Sequence, residues 1–148
     1  MSIKQTAVFK GMARREMPVP HKAGDVQEVM LTHTFTEDVN TTDVLELLAL
    51  PAGLRITHFE YASENHAAVN INIGFMSGTP GSLDAARTCG SELASAAALV
   101  STGTPTGLIA MAGIASSDAH RSIGLVPAAN IVAGATKRIH LKVRYVRD

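Results

Sequence analysis

Arg138-Ile139-His140-Leu141-Lys142-Val143-Arg144-Tyr145 is the stretch from which the fold is read. Every second side chain is apolar, and the residues between are cationic or imidazole. Because successive side chains of a strand point to opposite faces, this spacing predicts a strand with one face on a core and the other in water. The same period recurs upstream. Val69, Ile71, Ile73 and Phe75 alternate with Asn70, Asn72 and Gly74, while Val29, Leu31, His33 and Phe35 oppose Met30, Thr32, Thr34 and Thr36. Three long amphipathic strands need a shared core, which places Ile139, Leu141 and Val143 against the same interior as Ile71 and Ile73.

Shorter runs complete the pattern. Residues 45–50 and 54–61 are apolar-rich and separated by Pro51, Ala52 and Gly53, whose backbones suit a tight reversal, so they read as a strand-turn-strand unit. Residues 108–114 and 122–127 read as two further strands, broken by Gly113 and the polar Ser116, Ser117 and Asp118. Between Gly78 and Gly107 the texture changes to Ala, Ser, Thr and Gly. There Ser82 and Ser91 can cap short helices, and Leu93, Ala97 and Val100 recur at helical spacing. This is read as a long insertion between strands. Pro18 and Pro20 punctuate an aperiodic start, so residues 1–24 are expected to form an extended N-terminal arm and residues 25–148 one domain. Seven or eight short strands with almost no helix predict an all-β chain, an antiparallel β-sandwich or jelly roll.

The 148 residues suffice for one domain with a real core. With 46% hydrophobic and 18% charged residues the chain is not disordered, and no apolar run reaches the length of a membrane span. The opening stretch, from Met1 to Arg15, lacks the apolar core of a secretory signal; it is basic and acid-free like a transit peptide, but Pro18 and Pro20 suit an arm. The single cysteine, Cys89, has no cation beside it in sequence and reads as an inert thiol. Charge is balanced overall but polarised along the chain. Between Met1 and Lys22, the cations Lys4, Lys10, Arg14, Arg15 and Lys22 stand against Glu16 alone. Residues 23–120 hold eleven acids against Arg55 and Arg87, and the stretch from Arg121 to Asp148 is basic again. Basic ends and an acidic middle suit holding the ends against the body, or against an acidic neighbour in an assembly. The candidate partner-binding residues are therefore Lys4, Lys10, Arg14, Arg15 and Lys22 on the arm, with Arg138, Lys142 and Arg144 on one strand face.

The motifs of chemistry do not assemble. Six histidines include no His-x-His pair, and His58, Glu60, Glu64 and His66, the densest set of potential metal ligands, straddle a strand end where polar residues belong. Ser117, Asp118 and His120 are chain neighbours in a polar loop and not a nucleophile elbow. Neither glycine-rich nucleotide motif occurs, and Asn40-Thr41-Thr42 reads as a surface turn. Zero net charge, no Trp and few aromatics argue against nucleic-acid binding. No enzyme, cofactor, metal, nucleic-acid or membrane role is expected.

The proline-punctuated arm, the run Leu50-Pro51-Ala52-Gly53-Leu54-Arg55-Ile56, the strand at 69–75, the Ala/Ser/Gly-rich insertion and the closing strand at 137–146 together resemble small bacteriophage head proteins. These are the decoration, or cement, proteins that clamp major capsid subunits. The likeness spans about residues 26–147 and is one of layout, so no contact residue is carried over. It implies a non-enzymatic jelly-roll subunit, made in the host cytoplasm. Such a subunit binds the major capsid protein on the outer surface of the virion and associates with itself, as a trimer before a dimer. A tail-associated or carbohydrate-binding β-sandwich, and an enzyme with its active site between subunits, fit the same texture.

Overall fold

A computed structural model describes residues 1–6 and 25–148. Nine strands and one short helix follow in the order β1 (Ser2–Gln5), β2 (Gln27–Thr34), β3 (Asp43–Leu50), β4 (Leu54–Glu64), β5 (Asn70–Met76), β6 (Ala94–Ala98), β7 (Thr104–Pro105), α1 (Leu108–Ala112), β8 (Arg121–Pro127) and β9 (Arg138–Arg147). They form two sheets, ordered β1-β3-β8-β5-β6 and β2-β9-β4-β7, and the β-sandwich expected from the sequence is what the chain adopts. All pairings are antiparallel except β1 with β3.

The amphipathic strands behave as their period requires. Ile139, Leu141, Val143 and Tyr145 are fully buried and share one core with Ile71 and Ile73. Val29 and Leu31 are partly buried against that core, and Phe35 lies within it.

The strand-turn-strand unit at Pro51, Ala52 and Gly53 is present as β3 and β4; the two strands lie in opposite sheets, so the turn, with Gly53 at φ +78°, arches across the sandwich. Two expectations are corrected. First, residues 108–112 are helical and not a strand. Ala110, Met111 and Ala112 carry no β-branch, and the buried Met111 and Ile114, three residues apart, anchor the turn on the core. Second, the insertion holds no helices before α1. Ser82 instead accepts the Asp84 N–H at 3.3 Å in a local turn. Residues 94–98 form an edge strand, pinned at its two ends by Leu93 N–H to Ile73 O (2.9 Å) and Leu99 N–H to Val69 O (2.8 Å). Near the amino terminus, β1 runs parallel to β3 with Ser2 opposite Asp43 and Gln5 opposite Glu46.

Residues 77–92 pack against the outer face of the first sheet, beside a second small cluster of Ile3, Val44 and Met76, with Cys89 and Val126 against it. Among these residues is an ion pair that is almost fully buried. Arg87 Nη2 meets Glu46 Oε1 at 2.8 Å, and the same guanidinium donates to Ser77 O (2.7 Å), Ser82 O (2.7 Å) and Ser122 Oγ (2.8 Å). Glu46 also accepts the Gly81 N–H (3.1 Å) and the Gln5 side-chain amide (3.0 Å), which ties β1, β3, β8 and the covering loop to one point. Burial raises the Glu46 pKa, but the hydrogen bonds from Arg87, Ser122, Gly81 and Gln5 outweigh it and hold the carboxyl below 4.5.

Candidate interaction surface

The outer face of the second sheet gathers the charged residues of three strands. β9 lies between β2 and β4, and the registers place Arg144 beside both Glu28 and His58, Lys142 beside Glu60, and Arg138 beside Glu64. Side chains directly opposite on one sheet face are within reach of one another. Lys142 Nζ lies 2.9 Å from Glu60, which His58 Nε2 also contacts at 3.2 Å. Arg138 reaches Glu64 at 3.6 Å, and Arg144 pairs with Glu28. His140 bridges Glu64 (2.8 Å) and the Thr32 hydroxyl (2.7 Å). Each carboxyl is held below its usual range: Glu28 chiefly by its hydrogen bond from Arg144, Glu60 by that from Lys142, Glu64 by that from His140.

Arg138, Lys142 and Arg144 therefore share a face as read from the sequence, but they are not a bare cationic stripe: three carboxylates match three fixed cations. Such exposed pairs add little stability. Lys4 is separate, on β1, 3.8 Å from Glu37. Lys10, Arg14, Arg15 and Lys22 lie outside the described residues.

The other candidates are taken up by local structure. His58 and Glu60 touch, Glu64 turns to β9, and His66 packs edge-on to Phe35 at 4.8 Å with its Nε2 buried and without a hydrogen-bond partner. Among the described residues no group of three or more His, Cys, Asp or Glu side chains is placed to hold a metal ion. Ser117 Oγ accepts the Ala119 N–H and His120 Nδ1 accepts the Ala52 N–H, so these two side chains brace loops. Cys89 is half-buried, its thiol pushed up to about 11, chiefly by burial. Sequence reading missed the Glu46–Arg87 pair, whose signals were an acid inside an apolar run and a lone cation in an acidic region.

No family model matches the chain, and no curated protein matches it. Solved structures do. A chain from the capsid of Ralstonia phage GP4 superposes with a TM-score of 0.80 at 28% identity, covering 99% of this chain and 98% of that one. The fold is that of a phage capsid component. A chain of the cyanophage Pam1 capsid (TM-score 0.58, 20% identity, 94% and 96% covered) shares it. So does one from the acid-stable capsid of Helicobacter pylori bacteriophage KHP30 (TM-score 0.53, 13% identity, 84% and 90% covered). These matches indicate no catalytic family.

Proposed function

We propose that this chain is a structural virion protein that decorates and stabilises a bacteriophage head, binding across major capsid protein subunits on the outer surface, without enzymatic activity and as a self-associated trimer. The observation that carries the reading is the match to a chain of the GP4 capsid along 99% of this chain. Two features support it. The two sheets share one large buried core, and the paired charges on the outer face of β2, β9 and β4 suit oriented docking. A carbohydrate-binding reading is disfavoured by the aromatics among the described residues: Tyr61, Tyr145, Phe35 and Phe59 are buried, and Arg121 lies over the Phe75 ring at 4.1 Å.

The test is binding of the purified chain to shells of the phage that encodes it, prepared without it. Saturable occupancy in cryo-electron micrographs, reduced by raised salt and by charge reversal of Arg138, Lys142 and Arg144, is the expected result. Shells that stay bare at micromolar chain would end the reading. Deleting residues 7–22 separates the arm from the strand face: retained salt sensitivity assigns the docking to β9.

A further inference from the structure

From residue 93 to residue 117 the chain contains no charged residue and no histidine. This stretch supplies β6, β7 and α1. α1 reads Leu108-Ile109-Ala110-Met111-Ala112, apolar on every side. A helix apolar all round belongs in an interior, yet this one buries only Met111. Leu108 is 81% exposed and Ile109 93%, the most exposed large hydrophobics among the described residues.

Beside this knob lies a cleft of about 370 Å³, lined by Tyr61, Leu93, Ala97, Pro105, Thr106 and Ala110 among others. The hydroxyls of Tyr61, Thr104 and Thr106 are engaged inside the chain. The Tyr61 hydroxyl donates to Ala98 O at 2.9 Å, and the Thr106 hydroxyl donates to Leu93 O at 2.8 Å. The one charged side chain of the lining, Glu92, accepts the Phe75 N–H at 3.0 Å. What remains is an apolar socket; a dry apolar cavity of about 150 Å³ already holds a benzene-sized group, so this one has room for two aliphatic side chains.

We propose that Leu108 and Ile109 of one copy insert into this cleft on a second copy of the same chain. One surface carries both plug and socket; the plug bears no charge, and the single carboxylate of the socket, Glu92, already accepts the Phe75 N–H, so the surface is complementary to itself and not to the acidic neighbour that the basic residues suit. Depletion of charge at the centre is the mark of an interface core. A patch that is complementary to itself permits a two-fold contact, in which the plug of each copy enters the socket of the other. This inference does not depend on the capsid role, because it concerns the free chain.

The experiment is size-exclusion chromatography with light scattering on the full chain at about 50 µM, without shells. The wild type is expected to be an oligomer. Leu108→Asp with Ile109→Asp should raise its dissociation constant about 100-fold or more, and Ser95→Arg, at the cleft mouth, should do the same from the other side. Far-UV circular dichroism should stay unchanged for both, since the altered residues are exposed. Mixing the two variants should restore a two-copy species, since one intact plug then meets one intact socket. A wild-type monomer at this concentration, or an oligomer that survives both changes, overturns the proposal. A wild-type monomer whose shell binding is lost on changing Leu108 and Ile109 assigns the cleft to the shell, which also overturns it while leaving the capsid role standing.

Discussion

Replacing Arg87 with alanine tests whether the covering loop and β1 are held at a single buried point. The substitution removes four hydrogen bonds, to Ser77 O, Ser82 O, Glu46 and Ser122. It leaves the Glu46 carboxylate, 0% exposed, with the Gly81 N–H, Gln5 and Ser122 as its donors and no cation beside it. Removing one member of a buried pair costs about 3–5 kcal/mol, much of it from the uncompensated charge left behind. At about 2–4 °C per kcal/mol for a chain of this size, Tm should fall by about 6–20 °C. Glu46→Gln keeps the size and one acceptor and should cost less, about 1–3 kcal/mol. Acidification gives an independent check. The folded carboxyl sits below 4.5, so its contribution is complete above the unfolded value and drains away as pH falls below about 4.5 towards the folded pKa. The difference between wild type and Glu46→Gln should therefore shrink from pH 7 to pH 3. Thermal melts by circular dichroism at several pH values, with amide exchange at Thr6, Gly81 and Arg87, measure both effects. A fall in Tm under about 3 °C for Arg87→Ala, with those amides still protected, would refute the reasoning.

Leu141→Ala opens a cavity where β9 meets the shared core, and should cost about 2–5 kcal/mol in urea unfolding; Leu141 is fully buried. Gly74→Ala should be far more damaging than Gly124→Ala in the same assay. A Cβ at Gly74 meets the Gly90 backbone at 2.3 Å, whereas at Gly124 its nearest contact is the flexible Met76 side chain at 2.8 Å. Cys89 should react slowly with a thiol reagent at pH 8 in the native state and quickly in denaturant, because burial holds its pKa near 11. Equal rates in the two states would contradict that placement.

What the sequence disclosed depended on how many faces of a strand meet water. β9 and β5 expose one face, so their period is plain, and the pairing of Ile139 and Leu141 with the core of Ile71 and Ile73 follows from it. β3 is covered on both faces, and its Val44 and Glu46 are buried beneath a loop from a distant part of the chain, the one that carries Gly81 and Arg87, which erases the alternation. α1 hid for the opposite reason: its solvent side is as apolar as its buried side, so no helical stripe stood out. On the outer face of the second sheet, the cations of β9 could be read because they are near neighbours in sequence. Their acids could not, since Glu28 stands 116 positions from Arg144 and only the sheet register unites them.

The strand at the amino terminus has a consequence for the order of events during synthesis. β1 is made before its anchors, which are Glu46 and the Gly81 carbonyl that its Gln5 contacts at 3.1 Å, and Glu46 is in turn held by a guanidinium that also needs Ser122. At about 5–20 residues per second, those partners trail it by up to about 6–23 s. Until then the opening strand has no place to dock, and Ile3 stays in water. β1 is thus made ahead of its partners and fastened only once they arrive, so a change that hinders its docking would act on a late step of folding and not on its beginning.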